Sequence, residues 1–496
     1  MTGLSEDPPE TGAAQRLEPA EVRRRAHAGA VLLVARGVGV RVLGFAGNVV
    51  LAALLAPADF GEVAIGAAII VFIGLVSDGG LGAALIRGDH APTPRVLGQL
   101  LALQLLIALV LTAVSVGIAP LFGRTGWVVA LMTSTACVTV FGVASTIHLE
   151  RNLCFDRLAT IDVAGSVAYL VTAIPAAALG AGVWALAGGC VVQVLVGTAL
   201  ALTLAPVRVL RPRRGLDSVR PLLAFGARFQ AISAMNLLRD QGMNVGVAAV
   251  AGVGTLGVWT MAYRFIQVPF LLFESLWRVT FPGMARLIEA GEDPRPAGER
   301  MLGISAVITA AIMCPLVGAT PALVPLLFDH AWHGIVDILP WACAGLLVGG
   351  PISVSVAGLL FAEGDAGTVL RGAVLHTIAA LTVGLALYPV LGLTALGLSV
   401  FASATVEGIV LGQRAQRRYR IGVVRPLVAP TLVAVPVGAM AWLAAAHIGP
   451  LGPATVAGGA IGLLGFAAVL YVVDRVAARS AVATVAMTVR SALAPR

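Results

Sequence analysis

The sequence predicts an all-α polytopic membrane protein with about fourteen transmembrane helices. Two six-helix bundles in repeat surround a central cavity, and a C-terminal helix pair follows. Three observations carry this. The chain of 496 residues is 58% hydrophobic and only 12% charged, with a mean hydropathy of +0.95, far too apolar for a water-soluble protein of that length. Its apolar runs are each long enough to cross about 30 Å of hydrocarbon as a helix, which takes about 20 residues and satisfies every backbone amide within the segment. Its positive charges fall in the breaks between alternate runs.

Residues 1–29 are polar, end in Arg23, Arg24 and Arg25, and contain no apolar core with a cleavage site. They read as a disordered cytoplasmic tail. Gly, Pro and charge clusters then delimit apolar runs near 30–56, 61–86, 96–119, 126–147, 159–180 and 183–205, a first bundle over 30–205. A basic linker, 206–220, leads to runs near 221–250, 255–282, 301–327, 334–361, 368–388 and 393–412, a second bundle over 221–412. A basic loop, 413–425, an additional helix pair over 426–473 and a tail, 474–496, complete the chain. The runs are far longer than the roughly 10-residue alternating strands of a β-barrel. Asp59-Phe60-Gly61-Glu62-Val63-Ala64 opens the second run much as Thr255-Leu256-Gly257-Val258-Trp259-Thr260 opens the eighth, a weak repeat of the kind transporters are built from.

All 33 basic residues are arginine. Twenty-six lie in the tails and in alternate loops, whereas the opposite loops hold only Arg124. Both termini and the arginine-rich loops are therefore expected in the cytoplasm, with the chain in the inner membrane. A net charge of +8 raises the question of nucleic acid, but the arginines sit in short loops and form no soluble basic face. No nucleic-acid partner is expected.

Six arginines escape that pattern: Arg36 and Arg41 on the first run, Arg228 and Arg239 on the seventh, Arg264 and Arg278 on the eighth. A charge near the bilayer centre costs at least roughly 2.5–3.5 kcal/mol and normally faces a partner or water. Arg36, Arg228 and Arg278 lie near helix ends, where snorkelling also accommodates them. Arg41 and Arg264 are deeper. Guanidiniums lining a wet cavity suit an anion, and a phosphate or pyrophosphate best of all, so Arg36, Arg41, Arg228 and Arg264 are the candidate substrate-binding residues. Asp240 follows Arg239 near an outer helix end, which suits an ion pair or a gate contact. Asp78 lies among small residues at the inner end of the second run, where helix packing competes with a gating role. Asp162, Glu274 and Glu407 are the other acids in apolar runs, and Glu274 stands four residues before Arg278. The seven histidines are isolated in sequence, and Cys137, Cys154, Cys190, Cys314 and Cys343 show no metal or disulfide spacing. No catalytic constellation, cofactor or metal site is expected, and the chain is not expected to be an enzyme.

At Ala58-Asp59-Phe60-Gly61, and through Phe72 to Ser77-Asp78-Gly79-Gly80-Leu81-Gly82-Ala83-Ala84-Leu85-Ile86-Arg87, the chain resembles the second helix of bacterial polysaccharide flippases of the Wzx-like kind. Leu256-Gly257, Met261-Ala262-Tyr263-Arg264-Phe265, Pro269, Phe281-Pro282 and Met284-Ala285-Arg286 resemble that family's eighth helix. Leu327-Phe328 with Trp332 resembles the motif before its tenth. The resemblance spans roughly residues 30–420 and points to the exopolysaccharide or teichuronic-acid branch of the multidrug/oligosaccharidyl-lipid/polysaccharide exporter superfamily. One departure is Arg239-Asp240-Gln241, where the family often has an Asp followed by a basic or polar residue. The resemblance implies two bundles that open alternately inward and outward. The cargo it implies is an undecaprenyl-pyrophosphate-linked oligosaccharide carried from the inner to the outer leaflet. It also implies membrane lipids, a polysaccharide polymerase and glycosyltransferases of the same pathway as partners. A multidrug exporter of the same superfamily is the alternative, although such cargo is cationic and wants carboxylates. A membrane polysaccharide polymerase or ligase is a further one, but it would need a large outer loop, and the outer loops here span about ten residues or fewer.

Overall fold

The computed structural model describes residues 39, 42–78, 93–152, 154–205, 220–267, 284, 286–475 and 479; the side chains of 220–233 and 236 lie outside that description. Among the described residues the regular structure is entirely helical. In the first half these helices are α1 (Val42–Leu54), α2 (Pro57–Asp78), α3 (Pro94–Ile118), α4 (Gly123–Arg151), α5 (Phe155–Ala178) and α6 (Val183–Leu204). The second half holds α7 (Arg220–Ile266), α8 (Arg295–Leu327), α9 (Ile335–Ala362), α10 (Ala366–Ala386) and α11 (Leu393–Tyr419). A final pair, α12 (Val424–His447) and α13 (Leu451–Val473), follows.

Eleven helical stretches among the described residues are long and apolar enough to cross a membrane. One of them, Pro94–Arg151, is the hairpin of α3 and α4, reversed by the 3-10 turn Ala119–Phe122 and by Gly123 at φ +57°. α7 is also two arms, broken at Gly252, whose φ of 83° and ψ of 169° belong to a region that only glycine enters at little cost. With the shorter α1, each of the fourteen apolar runs is helical over its described residues.

Local chemistry sets the ends. Pro57 starts α2 where no amide hydrogen is needed, and the Asp59 carboxylate accepts a hydrogen bond from the Ala56 amide at 3.3 Å. Thr93 caps α3, its hydroxyl accepting from the Val96 amide, with Pro94 in the first turn. Within the spans, hydroxyls return to the carbonyl one turn earlier, as Thr139 does to Thr135 and Thr377 to Ala373, so they cost little inside lipid.

The first half packs α5 along α6, α4 against α3 and α6, and α2 against α4. In the second half α9 runs along α11, α11 along α10, and α8 along α9. α12 and α13 both lie on α8. Close approach of backbones drives these contacts in lipid, where apolar burial supplies little. Gly345 and Gly349 of α9 let it meet the backbone of α11 at Phe401 and Ala404. α9 is buried along most of its length, whereas the later part of α3 is largely exposed.

Candidate functional site between the two halves

The two halves meet chiefly where α2 crosses the second arm of α7. The meeting is reciprocal. Gly61 on α2 faces the Val253 carbonyl, and Gly257 on α7 faces the Pro57 carbonyl; both are so close that a β-carbon at either glycine would strike backbone. Gly61 and Gly257 occupy the same position in the repeated hexapeptides, as Pro57 and Val253 do four residues earlier. The contact is thus self-complementary between equivalent surfaces, the signature of a two-fold relation. An aromatic chain seals it. Phe60 meets Trp332 edge-on at 5.1 Å, Trp332 meets Phe328 at 5.9 Å, Phe328 meets Phe265 at 6.2 Å, and Phe265 meets Phe45 of α1 at 4.9 Å. Six of the residues that carried the family resemblance in sequence, Phe60, Gly61, Gly257, Phe265, Phe328 and Trp332, are therefore packed together at the seam.

Beside this seam lies Arg264. Its neighbours Phe265 and Ile266 are buried, yet Arg264 itself is exposed, and it comes within electrostatic reach of Tyr169 on α5 and Cys190 on α6. A guanidinium from the second half thus faces the first. A charged group that keeps exposure inside a span is favoured by a hydrated cavity over lipid. Arg36, Arg41 and Arg278 lie outside the described residues, as does Glu274, and of Arg228 only the helix is described.

Further along α7, Arg239 Nε donates to Asp240 Oδ1 at 2.8 Å, with both side chains partly exposed. A polar strand continues from there. Gln241 Oε1 accepts from Asn244, and Asn244 Oδ1 accepts from the Trp259 indole at 3.2 Å, tying the two arms of α7 together across Gly252. Arg239 is also within electrostatic reach of Tyr263 and of Glu407 on α11. Glu407 is not isolated: its Oε2 lies 2.9 Å from His376 Nδ1 on α10. Thirty-one residues and no recognisable spacing separate this pair, so sequence reasoning treated His376 as solitary. The same correction applies to His330 and His333, whose rings are 5.6 Å apart.

Asp78 lines a cavity of about 770 Å3 in the first half, with Thr139, Glu150, Asp162, Ser166 and Gln193. A largely apolar groove of about 520 Å3 runs between α9, α11 and α12, along Ile352, Ile409 and Leu432. Arg124, the lone arginine of its side, also finds its reason. It donates to the buried Glu62 through Nε at 3.1 Å and through a terminal nitrogen at 2.6 Å, and that nitrogen lies 3.3 Å from Asp59. It is the counter-charge for two carboxylates at the head of α2. All five cysteines are free, and no metal-binding cluster occurs among the described residues.

Residues 50–337 match the model of the family described as polysaccharide biosynthesis protein, more than half of the chain. The chain belongs to that family. Lipopolysaccharide biosynthesis protein WzxC of Escherichia coli is 28% identical over 213 residues, 41% of this chain and 42% of that protein. Succinoglycan biosynthesis transport protein ExoT of Rhizobium meliloti is 25% identical over 336 residues, 63% of this chain and 65% of the relative. The chain thus matches less than two thirds of either relative's length. Among solved structures, the lipid II flippase MurJ in an inward closed conformation superposes with a TM-score of 0.70 at 14% identity, covering 89% of this chain and 99% of that one. An inward-facing multidrug resistance transporter of the MATE family superposes at 0.55, with 15% identity, over 77% of this chain and 94% of that one. The family member described here has the fold that these two structures share.

Proposed function

We propose that this protein flips an undecaprenyl-pyrophosphate-linked oligosaccharide from the inner to the outer leaflet of the cytoplasmic membrane by alternating access. The observation that carries the reading is Arg264, a water-exposed guanidinium of one half that faces the other half beside their seam. With Arg36, Arg41 and Arg228 it would hold the pyrophosphate, bidentately where geometry allows. The sugars would occupy hydrated space between the halves, and the polyprenyl tail would stay in lipid. In this reading the crossing of α2 with the second arm of α7 is closed in the present state and parts when the cavity opens outward. Both relatives are named for polysaccharide pathways, which supports a glycan cargo. Glycosyltransferases and a polymerase of the pathway would then be its functional partners.

The test is flipping of lipid-linked oligosaccharide in proteoliposomes. Arg264→Ala is expected to reduce the rate at least tenfold, with Arg264→Lys retaining part of it; unchanged transport in Arg264→Ala would remove the anion site. A second reading has a specific observation in its favour, since Asp78, Glu150 and Asp162 share the first-half cavity and carboxylates suit cationic amphiphiles. Stabilisation by cationic dyes, without any by lipid pyrophosphates, would favour a multidrug exporter instead.

A further inference from the structure

We infer that the second half contains a proton-binding site formed by His376 and Glu407, and that the proton is the ion whose binding and release shift the protein between its open states. The coupling part rests on the transport reading above; the proton site does not.

His376 stands about midway along α10 and Glu407 about midway along α11, so at 1.5 Å per residue each lies on the order of 15 Å from either end of its helix. A histidine and a glutamate at such depth are costly unless they serve a purpose, and together they meet at 2.9 Å. Gly372, one turn before His376, packs beside Glu407, whose Cγ a β-carbon there would meet at an ordinary contact distance of 3.5 Å. Neither group is sealed. The side chains keep 23% and 19% of their exposure, so protein does not close them off, and the proposed site requires this opening to be hydrated.

Charge balance gives the chemistry. Among the described side chains of α7, Arg239 is within electrostatic reach of Glu407, and it is joined to Asp240, with Tyr263 within reach of both. On α10 the remaining charge among the described residues, Arg371, is exposed near the helix start. Arg239 and Asp240 cancel. Glu407 is then the uncompensated charge whenever His376 is neutral, and one added proton brings the set to neutrality. In the neutral state Nδ1–H donates to Glu407 Oε2, leaving the Nε2 lone pair free. Uptake forms the Nε2–H bond with a proton from water, and release returns it. Because α10 and α11 pack on each other and α10 also touches α7, adding or removing that charge alters the interaction at the junction of helices that must move. Differential affinity for the proton between two arrangements is what allows a proton to shift their populations.

The experiment uses the full chain in lipid nanodiscs, with its five cysteines replaced and spin labels attached at Leu179→Cys and Val390→Cys. These exposed positions lie in the turns after α5 and α10, one on each half. The distance distribution is recorded at pH 8 and pH 5.5 without any lipid-linked sugar. The expected result is a population shift of at least tenfold between the two pH values. In His376→Gln and Glu407→Gln the distances should still fall among those of the parent and no longer depend on pH. A parent that does not respond, or variants that respond as the parent does, would overturn the site. A second arm measures lipid-linked oligosaccharide flipping under an imposed pH gradient, where acceleration by the gradient is expected in the parent and not in His376→Gln. A pH-dependent distance shift with no flipping would sink the cargo reading and leave the proton site standing. Flipping with no pH-dependent shift would sink the proton site alone.

Discussion

At the scale of single residues, the costly groups are those with assigned partners. Glu62 is 4% exposed and leans on one arginine, so Arg124→Ala leaves a buried carboxylate without its hydrogen bonds. A loss of about 1–3 kcal/mol is expected for such a charged partner. Thermal melting in detergent measures it, and Glu62→Gln in the Arg124→Ala background should recover part of the loss; a double variant no more stable than the single one would refute the account. A second clasp joins Asp365, the cap of α10, to Arg414 near the end of α11 at 2.6 Å. The guanidinium holds the Asp365 carboxyl below the usual carboxylate range, aided by hydrogen bonds from Thr368. A depressed acid stabilises fully above its unfolded value and loses that contribution as pH falls through its folded value. Melting temperature followed from pH 7 to pH 3 should therefore drop less steeply in Asp365→Asn than in the parent. An unchanged slope would assign the clasp no role in acid stability.

At the scale of helices, two places depend on glycine. Gly252 breaks α7 in a conformation that an L side chain enters at a cost of about 1–3 kcal/mol, so Gly252→Ala should lower the melting temperature accordingly. Gly61 and Gly257 act by proximity instead, because a methyl at either one meets the backbone of the opposite half. Gly61→Ala and Gly257→Ala are both expected to part α2 from α7. They should lengthen the distance between labels at positions 179 and 390 in the same sense, as equivalent places on a two-fold seam require. If only one of them does so, the two contacts are not equivalent. The π-turn Ile461–Gly465 within α13 follows from no feature of the sequence that we can identify.

At the scale of the whole molecule, the arginine distribution and the structure make one joint prediction. A cysteine placed at Leu179 should react with an impermeant reagent from outside intact cells, and one placed at Gln416 only after the membrane is opened. The reverse pattern would invert the topology and, with it, the direction of transport. The two halves contribute differently. The first offers a cavity whose lining includes three carboxylates, whereas the second combines Arg264 at the seam with the His376–Glu407 pair in its interior.

How much of this was legible in advance depends on range along the chain. Helix number, helix order and the arginines that violate the loop pattern are local properties: an apolar run of 20 residues has one solution in lipid, and a charge within it is visible wherever its partner lies. The family motifs were legible too, as strings. Their reason was not, because Phe60, Phe265, Phe328 and Trp332 come from separated stretches and acquire a common role only when α2 crosses α7. Arg124 looked like a lone exception and is a counter-ion, and His376 looked solitary and is paired. Sequence alone determined that the chain must fold as a membrane-spanning helical bundle, since backbone hydrogen bonding in hydrocarbon permits little else here. Which charges meet was left to tertiary structure, since contact between helices remote in sequence depends on close packing of their small residues, and no period along the chain records it.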